Sequence, residues 1–194
     1  TTGTGGGAIT FAGTLDGAGV LTTLSAGTGA IDLQGEVGGS TPLGSLTVTG
    51  GRTLDLPSVT TTGAQSYEVV GNIDLEGDLA TSGEAITVSS AATVSGGART
   101  VTTGMGGGAI TFADTLDGAG DLTLSAGTGA VELQGEVGGT TPLGSLTVNA
   151  GGTLDLPSVT TMGAQEYTAD TITLQGTSSM GGHALTLEGD HLEL

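Results

Sequence analysis

Five of the carboxylates at the middle of short apolar triplets form two runs: Asp32 in Ile31-Asp-Leu33, Asp55 in Leu54-Asp-Leu56 and Asp74 in Ile73-Asp-Leu75, then Glu132 in Val131-Glu-Leu133 and Asp155 in Leu154-Asp-Leu156. Gathered around one ion, such groups supply the oxygen ligands that Ca²⁺ takes. Held as a pair with separated pKa values, they would divide acid and base roles in cleaving a glycoside. The surrounding residues favour a plainer reading. No Gly-Gly-x-Gly-x-Asp metal loop occurs. His183 and His191 lie near the end, have no Ser or Cys motif beside them, and read as exposed strand or turn residues. The Gly-rich runs GTGGG (3–7) and GMGGG (104–108) are followed by neither Lys nor a helix, so they read as tight corners rather than phosphate loops. Asp16-Gly17 and Asp117-Gly118 read as turns.

Composition removes whole classes of function. The chain has 194 residues, 40 of them Gly, with 2% aromatics, no Trp, no Cys and a formal net charge of -18. Arg52 and Arg99 are the two basic residues besides His, too few to meet the phosphates of a nucleic acid. An anionic membrane surface would repel the chain for the same reason. No apolar run approaches a transmembrane length. Without Cys there are no disulfides and no thiolate metal sites. Hydrophobic content is nevertheless 36%, carried by Leu, Val, Ile and Ala, and that argues against disorder.

Internal repetition organises the rest. GGAITFAGTLDGAG (6–19) returns as GGAITFADTLDGAG (107–120). LSAGTGAIDLQGEVGGSTPLGSLTV (24–48) returns as LSAGTGAVELQGEVGGTTPLGSLTV (124–148). Thr22-Thr23 matches the single Thr123, so the offset drops by one residue there. Two repeats are assigned, 1–101 and 102–194, with a weaker echo in the tail. Inside each repeat, apolar-x-apolar triplets recur about every 18 to 23 residues, within the range of one solenoid turn. A second series of triplets, such as Leu46-Thr-Val48 and Ile86-Thr-Val88, runs between them. Their alternation marks strands with one buried face, broken by Gly-rich corners.

These features predict an all-β chain: a right-handed parallel β-helix, or β-solenoid, of about nine turns and on the order of 40 Å long. Each triplet is too short to stand alone. Stacked on the next turn, it gains backbone hydrogen bonds and buries like against like. Stacked Ile and Leu then replace the missing aromatic core, and Gly turns the corners.

GGAITFAGTLDGAG, LTLSAGTGA, LQGEVGGTTPLGSLTV and SVTTTGAQ(S/E)Y resemble the tandem repeats of giant secreted bacterial adhesins of the filamentous haemagglutinin and autotransporter type. The likeness spans nearly the whole chain. It implies a right-handed β-helix in a secreted or cell-surface fibre, serving as a stalk or an adhesive. It supplies no binding residue to carry over.

The expected role is therefore structural and non-enzymatic, with no cofactor unless Ca²⁺ sits on the acidic ladder. The alternatives are an adhesin segment binding glycans, an ice-binding or calcium-binding solenoid, and a polysaccharide-degrading enzyme. In-register stacking predicts one outward column of Thr10, Asp32, Asp55, Asp74, Thr93, Thr111, Glu132, Asp155, Thr173 and Glu193. It predicts a second, of Thr47, Thr87, Thr123, Thr147 and Thr186, whose hydroxyls would organise water if they formed an ice-binding face. Gln65 and Gln165 could stack as an interior or corner amide ladder, and Tyr67 and Tyr167 are expected to pack at a rung edge with their hydroxyls outward. The chain opens and closes partway through a repeat, which is read as a slice of a longer array or as a subunit that stacks end to end. Thr1, Thr2, Leu192 and Leu194 would then form the assembly ends. The expected partners are copies of itself or adjoining repeats, with neither nucleic acid nor membrane insertion.

Overall fold

The computed structural model describes residues 1–2 and 5–194. Alternating side chains dictate what is seen: strands of two to five residues, each sending every second side chain inward. All the ladders that join these strands are parallel. The chain is a β-solenoid of about nine coils, each coil visiting three faces in a fixed order.

The first face begins Ile9–Phe11, Ile31–Leu33, Leu54–Leu56, Ile73–Leu75, Ala92–Val94, Leu116–Asp117. Bridges through Val137 carry it to Val159–Thr160 and Ser178–Ser179. The second face starts with the bridged pair Leu15 and Val37 and runs from Val59–Thr60 to Leu185–Glu188. The third face is a nine-stranded sheet from Leu21–Leu24 to His191–Glu193. A coil takes between 18 residues (Leu154 to its partner Ile172) and 24 (Ile86 to its partner Ile110).

One core runs from Leu24 to Ile172 through both repeats. Leu46, Leu54, Ile73, Ile86, Leu124, Leu146 and Leu154 are fully buried in it. Burying a Leu or Ile removes enough apolar surface to contribute about 1.5–3 kcal/mol each. That stack does the work that large aromatics do in a globular core.

The corners are where glycine is required. Gly38 (φ +70) and its repeat counterpart Gly138 (φ +69) both adopt the left-handed region. A Cβ on either would lie 2.0 Å from the carbonyl oxygen of Thr60 or Thr160 on the next coil. Conformation and close approach both exclude a side chain there.

The two repeats do not occupy equivalent faces. From Ile9, four coils along the first face lead to Ala92. Ile110, the repeat counterpart of Ile9, lies two faces further on, paired with Ile86 on the third. The repeat therefore spans four and two-thirds coils, and every motif of the second copy is turned by one face. Leu46-Thr-Val48 lies on the third face and Leu146-Thr-Val148 on the second. Gln65 and Gln165 part in the same way.

Candidate functional site

The rotation of the second repeat divides both expected columns. On the first face the outward positions read Thr10, Asp32, Asp55, Asp74, Thr93, Asp117. On the third they read Thr23, Thr47, Ser66, Thr87, Thr111, Glu132, Asp155, Thr173, Glu193. The single acidic column is thus two half-columns on different faces. The cause is that the triplet after Ala92–Val94 to share its pattern, Ile110–Phe112, comes two-thirds of a coil later. The threonine series divides too: Thr47 and Thr87 stay on the third face, while Thr123, Thr147 and Thr186 lie on the second, with Glu166 between the last two.

Asp32, Asp55 and Asp74 occupy consecutive rungs, and so do Glu132 and Asp155. Burial lifts Asp55 above the ordinary carboxylate range, and the charges of Asp32 and Asp74 on either side add to the lift. Gln34 donates to Asp32 at 2.8 Å, and Thr93 donates to Asn72 at 3.3 Å beside Asp74. The carboxylates follow the rod axis as a line. Among the described residues no three His, Cys, Asp or Glu side chains converge so as to hold a metal ion.

Other acidic residues serve the backbone. The Asp16 carboxylate accepts the amides of Ser40 and Thr41 on the next coil, both at 2.9 Å. The amide of Thr41, then that of Ser40, holds Asp16 below the usual range. Asp117 repeats the arrangement with Thr140 and Thr141, at 2.8 and 3.0 Å. The two Asp-Gly turns are inter-coil staples, in which a charged acceptor strengthens each bond.

The most elaborate polar group lies inside the rod. Tyr67 and Tyr167 are buried, 0% and 1% exposed, with their hydroxyls turned inward rather than outward. Tyr67 donates to Gln65 Oε1 at 2.8 Å, and Tyr167 to Gln165 Oε1 at 3.1 Å. Gln65 Nε2 in turn donates to Ala80 O at 2.8 Å and Thr61 Oγ1 at 3.2 Å, and it also reaches Val59 O. Gln165 binds Ser179 O, Thr161 Oγ1 and Val159 O in the same pattern. The glutamines do not form a ladder, because they lie on different faces. Each is a clamp that satisfies carbonyls at the corner between two faces, where an unpaired acceptor would be costly. Burial pushes both phenols up, Tyr67 well above its ordinary value.

This clamp escaped the sequence reading, although the signal was present. Gln65 and Tyr67 take the alternating inward positions that Leu46 and Val48 take one coil earlier. Buried Thr61, Thr81 and Thr103 escaped it as well; they close corners by donating to Gly63, Glu84 and Gly108 carbonyls.

His183 and His191 are exposed, as expected. Met105 in GMGGG is 96% exposed at a corner. Gly3 and Thr4 of GTGGG lie outside the described residues. Among the expected assembly ends, Thr1 and Thr2 are exposed, and Thr2 donates its amide to Ser25 and its hydroxyl to Gly7. Leu192 pairs with Ile172 and is 55% exposed, and Leu194 is 97% exposed.

Two grooves of about 300 Å³ each lie at corners of the rod. One is lined by Thr28, Arg52 and Val70, the other by Asp170, Glu188 and Asp190 together with Ala150, Thr168, Ala169 and Gly189. Comparison with protein-family models, with curated proteins and with solved structures returns no match.

Proposed function

We propose that the chain is a structural, non-enzymatic solenoid segment of a secreted or cell-surface fibre, acting as a stalk or spacer. The observation that carries this reading is the unbroken stack. Parallel ladders and one apolar core pass through both repeats without a hinge. Such a stack is held rung by rung by backbone hydrogen bonds and resists bending between its ends. Its outward faces are lined by hydroxyls and carboxylates, and a net charge of -18 keeps a Gly-rich rod from adhering to its neighbours. The partners in this reading are adjoining repeats, or copies of the chain stacked end to end.

Electron microscopy and small-angle scattering over a concentration series test the proposal. A stiff rod on the order of 40 Å long is expected, joining into strings as concentration rises. A flexible or globular particle would overturn the spacer role. Rods that stay single at all concentrations would remove end-to-end stacking. Shortening of a polysaccharide incubated with the chain would replace the structural role with an enzymatic one.

A further inference from the structure

The two repeats are nearly identical in sequence, so the places where they differ on one shared feature are informative. The corner between the third and first faces of the first repeat stacks three coils on one another. Gly51 N donates to Gly27 O at 2.8 Å, Arg52 N to Gly29 O at 2.7 Å and Val70 N to Gly51 O at 2.8 Å. Thr28, Arg52 and Val70, carried on these three coils, line a groove of about 300 Å³. The same corner recurs in the second repeat, turned by one face, where Gly151 N donates to Gly127 O at 2.7 Å and Asp170 N to Gly152 O at 3.0 Å. There the residue matching Arg52 is Gly152 and the residue matching Val70 is Asp170; a groove of like size lies further along the same corner, lined by Asp170 with Ala150, Glu188 and Asp190 but not by Thr128 or Gly152. Of the three backbone bonds one recurs, Gly151 N to Gly127 O, while Asp170 N bonds Gly152 O rather than Gly151 O. At the matching positions the cation is lost and a carboxylate replaces the apolar side chain.

Arg52 stands out in another way. Arg99 has its guanidinium tied to the carbonyls of Ser95 at 2.8 Å and Ala98 at 3.1 Å, whereas Arg52 projects from an exposed corner. Val70 beside it is 81% exposed, an apolar side chain with no packing role.

We infer that the Thr28–Arg52–Val70 corner is a binding site for a carboxylate-bearing sugar residue of the hexuronate kind. Each part of such a ligand has a counterpart. The planar guanidinium fork matches a carboxylate bidentately. Val70 offers apolar surface to the C–H face of a pyranose ring. The Thr28 hydroxyl donates to or accepts from a ring hydroxyl. A groove of this size lies at the lower limit of small-ligand pockets, suited to one or two sugar residues. The net negative charge does not forbid the site, because exposed charges beyond about 8 Å are screened at physiological ionic strength. It does confine an anionic ligand to this corner. Affinity is on the order of millimolar for one sugar residue, and repetition along a polymer would raise it. The inference goes beyond the spacer role and does not rest on it.

The experiment is an amide and arginine side-chain NMR titration with galacturonic acid, with galactose and acetate as controls, up to about 50 mM, well above the millimolar range. Saturable shifts are expected at Thr28, Arg52 and Val70 with galacturonic acid, at least tenfold weaker with galactose and with acetate. Arg52→Gly places at this corner the residue the second repeat already holds, and it should abolish the shifts while leaving the rest of the spectrum in place. The converse transplant, Gly152→Arg with Asp170→Val, should create a second set of shifts at Thr128 and residue 170. Equal response to galactose, an undiminished response in Arg52→Gly, or no saturable shift at all would overturn the site. Equal binding of acetate would remove the sugar from it.

Discussion

At the residue scale, position on the rod sets the behaviour of each titratable group. Asp55 stands between Asp32 and Asp74 on consecutive rungs, and its carboxyl titrates above the ordinary value. A raised acid pKa means that the folded rod holds the proton more tightly than the unfolded chain does. Stability should therefore rise as pH falls from neutral through the lifted pKa toward the ordinary one, and level off below it. Asp55→Asn should flatten that part of the pH–stability profile in chemical denaturation and stabilise the rod at pH 7 by ~0.2–1 kcal/mol, the scale of one like-charge cross-strand contact. Asp16 has the opposite sign. Its lowered pKa supports the fold above the ordinary carboxylate range, and that support is lost as pH falls through the lowered value. The buried phenols define the alkaline limit. Tyr67→Phe would strand Gln65 Oε1 in the interior and should cost about 1–3 kcal/mol by denaturant titration. In the wild type, stability should fall as pH climbs past the free-tyrosine value of about 10, because only the unfolded chain gives up its phenolic protons readily. Tyrosine absorbance should then register ionisation together with unfolding rather than before it.

At the element scale, one residue decides which side of a strand faces the core. The first repeat reads Leu21-Thr22-Thr23-Leu24 where the second reads Leu122-Thr123-Leu124. Leu122 is buried and pairs with inward Leu146. In the first repeat Thr22 takes the corresponding inward place against Leu46, and Leu21 is turned out, 77% exposed. An insertion of one residue in a period-two strand sends the side chains before it to the opposite face. Deleting Thr22 should return Leu21 to the interior and raise stability by about 1–2 kcal/mol, somewhat less than full burial of a Leu because this coil lies near one end of the stack. A thermal or urea midpoint that falls on deletion would show that the corner after Val20 cannot shorten.

At the scale of the whole molecule, the four-and-two-thirds-coil repeat governs what a partner meets. Identical motifs in successive repeats face different directions, and in a longer array they return to the same face only after three repeats, or fourteen coils, about 67 Å along the axis. A flat partner such as an ice crystal would therefore touch any given motif in one repeat of three. The third-face hydroxyl row from Thr23 to Thr111 ends at Glu132 after five coils. The expected result is no thermal hysteresis and no shaping of ice crystals. Cross-linking tests the rotation itself. Thr87→Cys with Thr111→Cys, neighbours across one rung, should form a disulfide readily. Thr93→Cys with Thr111→Cys, adjacent only if the repeats shared a face, should not, because Thr93 pairs with Asp117.

The sequence by itself determined the architecture. Period-two alternation in triplets such as Ile31-Asp-Leu33, spaced one coil apart and separated by glycines, admits parallel stacking and little else, since the burial pattern and the turn chemistry are both local. It likewise placed Asp32, Asp55 and Asp74 on successive rungs. What the sequence could not supply was the phase of one repeat against the next. That depends on how many residues each corner absorbs, and coils of 18 to 24 residues differ only in loops whose lengths leave the strands alike. The tertiary structure alone decided that the columns divide between faces, that Tyr67 and Gln65 close on each other inside the rod, and that Arg52 and Val70 meet at one corner. In each case the reason is physical: contacts between coils join residues some twenty positions apart, and small differences in corner length accumulate before those contacts form.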